Sequence, residues 1–162
     1  MFGLSLRERS AEALRRGARA ALTGGFFHYT EAESFQLNID ASSYLYTEAL
    51  AHQIYTLGLI YGQALVGKEK WATPEHFFKS VAKGITEHEK EQSLLPGSIS
   101  SFVFKRFMEI EELTPEKRRN GEHFNQSVEL VKKKDPSADV NAIRKALEKA
   151  SRDYYAQARK MF

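Results

Sequence analysis

Residues 44–66 read YLYTEALAHQIYTLGLIYGQALV, and the assignment of this stretch decides the fold. No Asp, Glu, Lys or Arg occurs from Ala49 to Gly67. Three readings compete: a membrane span, a helix holding a cofactor at His52, or the central helix of a soluble α domain. A spanning helix needs about 20 predominantly apolar residues. Here His52, Gln53, Thr56 and Gln63 interrupt the run and Glu48 stands just before it, each costly in lipid without a partner. Leu50, Ile54, Leu57, Tyr61 and Leu65 recur at helical spacing, and Leu59, Ile60 and Val66 carry the apolar set around the cylinder. A helix apolar on most sides is a buried one. Gly58 and Gly62, one helical turn apart, admit a close neighbour at a cost in helix stability. The reading is a buried central helix over about 41–66, with no membrane association.

The rest of the chain is consistent with that centre. Its 162 residues suffice for one domain with a sizeable core, and 42% hydrophobic and 12% aromatic residues exclude a disordered polymer. There is no cysteine, which excludes a disulfide framework, a thiolate metal site and a cysteine nucleophile, and fits a reducing, cytoplasmic setting. With four prolines and no Ser/Gly-rich run, residues 1–162 read as a single helical domain. The expected fold class is all-α: a compact single-domain bundle of five to six helices around the buried central one.

Punctuation marks the other helices. Ser5 and Glu8 have capping-box spacing, and Leu6, Leu14, Ala18, Ala21 and Leu22 share a face that Gly24 and Gly25 terminate. The Arg-rich start is amphipathic, as mitochondrial presequences are, but Glu8 and Glu12 argue for a structural first helix. Thr30 and Glu33 repeat the capping-box spacing. Phe35, Leu37 and Ile39 alternate with period two, yet a lone strand has no partner, so a short helix or extended lead-in is expected before a cap at Asp40 or Ser42. Thr73-Pro74 and Thr114-Pro115 open helices, the second interrupted at Gly121. Ser98 or Ser100 is expected to cap the helix of Phe102, Val103, Phe107, Ile110 and Leu113. Phe124, Val128 and Val131 face inward in the next. In the last, Val140, Ile143, Leu147, Ala150, Tyr154 and Met161 form a stripe that suits either the bundle or a second copy of the chain.

Charge is segregated. Residues 1–24 hold five Arg against two Glu; residues 25–114 hold seven Lys/Arg against twelve Asp/Glu; residues 115–162 hold twelve against seven. An acidic middle flanked by basic ends marks either a partner surface or ends that fold back over the middle. The acidic residues Glu87, Glu89, Glu91, Glu109, Glu111 and Glu112 form the candidate partner-binding patch, steering a basic protein surface. The basic residues Arg15, Arg16, Arg19, Lys117, Arg118, Arg119, Lys132, Lys133 and Lys134 form a candidate phosphate-binding set. No helix-turn-helix glycine turn, aromatic RNA-binding pair or Gly-rich phosphate loop accompanies them.

Catalytic and metal motifs are lacking. Glu48 and His52 share a helix face, which suits a metal ligand pair, an acid–base pair or a haem ligand; no zinc-protease or di-iron spacing supports these, and a hydrogen-bonded structural pair is preferred. Residues 54–61, IYTLGLIY, have a Leu-Gly-x-x-Tyr spacing that resembles the first helix of a tetratricopeptide repeat. Lys70 and Pro74 stand where that pattern wants small and aromatic residues, and no second copy follows. The expected function is therefore a non-catalytic protein–protein interaction protein with no cofactor or metal, of the immunity or adaptor-inhibitor type. Nucleic-acid binding through the basic ends, or a metal or haem site at Glu48/His52, are the alternatives.

Overall fold

Asn38 starts the central helix, in place of Asp40 or Ser42: its side-chain oxygen accepts from the amide of Ala41 at 2.8 Å. The computed structural model describes residues 3–23 and 35–162. Among these are seven α-helices and no strand: α1 (Leu6–Thr23), α2 (Ile39–Leu65), α3 (Pro74–Glu91), α4 (Ser100–Glu111), α5 (Pro115–Arg119), α6 (Glu122–Lys134) and α7 (Val140–Ala158), followed by a 3-10 turn at Arg159–Met161. Phe35 and Leu37 belong to a turn and lead-in packed on the core. The expected stop at Gly24–Gly25 and the Thr30/Glu33 pair lie outside the described residues.

The α2 helix is 27 residues long, about 40 Å at the helical rise, and serves two cores in succession. Its first half, with Ala41, Leu45 and Ala49, meets Val128 and Val131 of α6 and Ile143 and Leu147 of α7. Its second half, with Leu50, Ile54, Leu57 and Tyr61, meets Leu14 of α1, Val81 and Ile85 of α3, Val103 and Phe107 of α4, and Tyr154 of α7. Each fully buried Leu or Ile contributes about 1.5–3 kcal/mol of transfer free energy, so this one helix organises the interior. No helix among the described residues is long and apolar enough to cross a membrane.

The basic first helix lies on the acidic third. A Cβ on Gly84 would stand 2.5 Å from the carbonyl oxygen of Arg15, so α1 and α3 touch backbone to backbone at that point. Around the crossing, Arg15 pairs with Glu87 at 2.7 Å and Arg19 with Glu91 at 2.6 Å and Glu87 at 3.5 Å. On the other side of α1, the Tyr154 hydroxyl of α7 donates to the Gly17 carbonyl at 2.7 Å.

Besides the cap at Asn38, helix ends follow the sequence punctuation with one departure, at the start of α4. Ser5 and Glu8 exchange their capping-box bonds, and Thr73, Thr114 and Asp139 cap α3, α5 and α7. Neither Ser98 nor Ser100 caps α4; its first amides are held by the carboxylate of Glu89, which accepts from Gly97, Ile99 and Ser100. A negative charge at the positive end of a helix is favourable. At Gly121 the backbone enters the left-handed region (φ +75°), which divides the Thr114-Pro115 segment into α5 and α6 and accounts for the extra helix. The α7 stripe of Ile143, Leu147, Ala150 and Tyr154 is buried within the chain, while Met161 leaves it and is partly exposed. That stripe is therefore already covered and is not free to pair with a second copy.

Candidate functional site

Inside the bundle, at the level of Glu48, five polar side chains share a buried layer. Glu48 and Ser127 are fully buried, and His52, Arg106 and His123 are at most 8% exposed. Oε1 of Glu48 accepts from Nε of Arg106 at 2.8 Å and from Oγ of Ser127 at 2.7 Å. The Arg106 guanidinium also donates to the His123 carbonyl, to Gln126 and to Glu109. Nε2 of His52 lies 2.7 Å from Ser127 Oγ. A carboxylate only accepts, so the serine proton goes to Glu48. His52 must then donate through Nε2–H, which leaves Nδ1 bare and without a partner.

Electrostatics keep both histidines neutral. Burial, the neighbouring His123 and Arg106 hold His52 well below the usual imidazole range. Burial, then the guanidiniums of Arg106, Arg118 and Arg144, bring His123 down to about 4, against a small opposing pull from Glu148. Tyr44 is pushed up by burial and by the Glu48 carboxylate one turn along α2. Serine, histidine and carboxylate meet here, yet the order is wrong for nucleophilic catalysis. The acid binds the serine rather than orienting the histidine, and the hydroxyl proton is already committed. The His52 ring packs against Phe124 and His123 at centroid distances of 4.7 and 5.4 Å. Glu48 and His52 do form a structural unit, through Ser127 and not directly.

The sequence-derived acidic set does not form one free patch. Glu87 and Glu91 face the arginines of α1. Glu89 is 1% exposed and holds the start of α4. Glu109 and Glu111 stand 3.3 Å from Arg106 and 4.0 Å from Arg118 and remain largely in water. Glu112 is exposed. The part still facing solvent is thus Glu109, Glu111 and Glu112, on and just after α4.

The basic set divides in the same way. Arg15 binds Glu12 and Glu87, Arg16 binds Glu12, and Arg19 binds Glu87 and Glu91. The two guanidiniums hold the Glu12 carboxyl down at about 2. Lys117, Arg119, Lys132 and Lys133 are exposed. Lys134 pairs with Asp40 at 3.3 Å and lies over the Tyr44 ring. Arg118 donates to the Tyr55 hydroxyl at 2.8 Å. Of the three basic clusters, the first is therefore largely taken up by glutamates, and the exposed cations without a carboxylate partner among the described residues are Lys117, Arg119, Lys132 and Lys133.

Two of the surface concavities bear on function. The first is an apolar groove of about 300 Å³ between α2, α3 and α4, lined by Gly58, Gly62, Phe78, Phe107 and Met108, with Glu111 as its one charged wall. Gly58 is filled, since a Cβ there would meet the Phe107 ring at 3.0 Å; Gly62 opens onto empty space. The second is an arginine-lined pocket of about 500 Å³ formed by the α5–α6 elbow and α7.

Sequence reasoning passed over Arg106 and Ser127, though their positions carried a signal. Val103, Arg106, Phe107 and Ile110 share one helix face, as do Phe124, Ser127, Val128 and Val131, so a charge and a hydroxyl stand in otherwise apolar stripes. Arg144 and Arg152 were likewise unremarked, although Arg144, Glu148, Arg152 and Tyr155 follow helical spacing on α7. No family model matches this chain, nor does any curated protein or solved structure.

Proposed function

We propose that this chain is a non-catalytic protein–protein interaction protein, an adaptor or inhibitor of the kind that bacterial immunity proteins exemplify, and that its partner presents a basic amphipathic helix. The observation that carries this reading is the groove beside Gly62. Phe78 is half-buried along it, while Val66 and Met108 are 48% and 51% exposed at its lips. A helix laid in such a groove anchors through apolar side chains at i, i+3 or i+4, and i+7. Methionine adapts to many apolar shapes and is over-used at binding surfaces. Glu111 in the wall, with Glu109 and Glu112 on the same segment, supplies the complementary charge for a basic partner and raises its association rate more than its affinity.

One further feature favours binding over catalysis. The serine–histidine–glutamate layer is buried, and the serine proton is held by Glu48. The lack of cysteine suits a reducing compartment, in keeping with a cytoplasmic protein.

Selection of displayed amphipathic helical peptides against the whole protein tests the reading. Peptides with Lys/Arg beside an i, i+4, i+7 apolar stripe are expected to emerge. Met108→Glu should abolish their binding, and Glu111→Lys with Glu112→Lys should slow their association. Emergence of acidic peptides, or of binders indifferent to Met108→Glu, would remove the proposal.

A further inference from the structure

In the C-terminal half of α2, beside Thr56 and Leu59, the α5–α6 elbow and α7 flank an open pocket lined by four arginines, Arg118, Arg119, Arg144 and Arg152. Only one carboxylate lines it, Glu148, and that is bound to Arg144 at 2.8 Å. Among the described residues neither Arg119 nor Arg152 has an ion-pair partner, and both are exposed. Arg15, Arg19 and Arg106 are each met by glutamates, whereas here four arginines share one concavity and two of them, Arg119 and Arg152, have no carboxylate partner among the described residues.

Three features make the pocket a built site. Arg144 is held in place: it donates to Glu148, to Asn125 and to the Asn120 carbonyl, and its Nη2 occupies the room that a Cβ on Gly121 would need, 2.8 Å away. A guanidinium fixed beforehand loses little freedom on binding an anion. The 13-residue α6 starts at this wall with Gly121 as its N-cap, and no side chain caps its amides. Its positive end points to the pocket with donors available for an anion. Finally, the hydroxyl of Ser151, on the pocket wall and 9% exposed, has no hydrogen-bond partner. A buried hydroxyl left unmade is costly, and an incoming acceptor relieves it.

We infer that this pocket binds a nucleoside phosphate, with the phosphates on Arg118, Arg119, Arg144 and Arg152 and the base against Tyr155. Tyr155 is 36% exposed on the pocket wall, and Arg159 lies over its ring at 5.9 Å, so it stands as a supported aromatic surface. Planar guanidinium forks match phosphate oxygens in pairs. The volume of about 500 Å³ falls in the range of small-ligand clefts. A single nucleotide fits the distribution of charge better than a nucleic-acid strand. A strand needs a continuous basic track, whereas Lys132 and Lys133 stand at the far end of α6, about 15 Å along the helix, and Arg15 and Arg19 are taken up by glutamates.

Calorimetric titration of the whole protein with ADP, with tripolyphosphate and with a ten-nucleotide single-stranded DNA separates the outcomes. ADP is expected to bind, and Arg119→Gln with Arg152→Gln, both solvent-facing and tolerable to the fold, should weaken it by about tenfold or more. Tyr155→Leu should weaken ADP and leave tripolyphosphate unchanged, which a merely electrostatic patch would not do. No heat with ADP or tripolyphosphate, or ADP binding that the double variant leaves intact, would overturn the inference. So would tighter binding of the DNA than of ADP with a salt dependence steeper than ADP shows, which would assign the pocket to a strand.

Discussion

Arg106 of α4 and Glu48 of α2 meet Nε to Oε1 at 2.8 Å with the two side chains 5% and 0% exposed. An ion pair so placed contributes little net stability compared with an apolar pair of the same shape, but removing one member leaves a charge buried without its partner. Glu48→Gln is therefore expected to cost about 3–5 kcal/mol in urea unfolding. Adding Arg106→Met should restore most of that loss, since no unpaired charge then remains in this layer. A double variant no more stable than Glu48→Gln would show that the pair does more than neutralise itself.

The histidines of the same layer set an acid limit. His123 is brought down from 6.5 to about 4 and His52 is also lowered. A lowered folded-state value means that the unfolded chain takes up the proton first. Stability is then flat above about pH 6.5, falls as pH drops toward 4, and stops responding to His123 below that. Allowing for solvent screening, His123 accounts for roughly 2 kcal/mol of this fall. Between pH 6.5 and about 5.5 ordinary carboxylates stay ionised, so the slope there belongs to the histidines, with His76 and His88, also lowered by burial, adding to it. Unfolding midpoints measured across that window should fall in the native protein and fall less steeply in His123→Gln.

Three glutamates of α3 that look equivalent in sequence should behave differently. Glu87→Lys and Glu91→Lys each disturb partly exposed pairs with α1, worth about 0.2–1 kcal/mol. Glu89→Ala strips the acceptor from the first amides of α4 and should cost about 2 kcal/mol. Thermal melts of the three single variants give the ranking directly.

Two glycines make a matched contrast. Gly84→Ala drives a methyl group against the Arg15 carbonyl, 2.5 Å away, and should cost at least about 1–3 kcal/mol by forcing α1 off α3. Gly62→Ala meets nothing within 4 Å and should stabilise α2 by up to about 1 kcal/mol. Equal effects from the two would contradict the packing described.

The helical architecture was legible because its signals are local. The charge-free run with helical periodicity gave α2 to within two residues of Ile39–Leu65, and Thr-Pro pairs gave the starts of α3 and α5. What stayed hidden depends on side chains distant in sequence. Glu89 caps α4 from the preceding helix, and Ser127 stands between Glu48 and His52 from 75 residues beyond the histidine. Charge counts located acidic and basic segments, but pairing across the α1–α3 contact cancels most of the first cluster and leaves Arg119 and Arg152 without a carboxylate partner among the described residues. The arginine pocket was illegible for the same reason: Arg118 and Arg144 become neighbours only because Gly121 turns the chain through a left-handed residue.

The bond from Tyr154 to the Gly17 carbonyl spans 137 positions. During synthesis α1 therefore emerges long before the helix that completes its cover. At about 5–20 residues per second, the flank of α1 that α7 will cover waits roughly ten seconds on the ribosome. Through that interval the nascent chain offers an unsheathed amphipathic helix to whatever chaperone attends the exit tunnel.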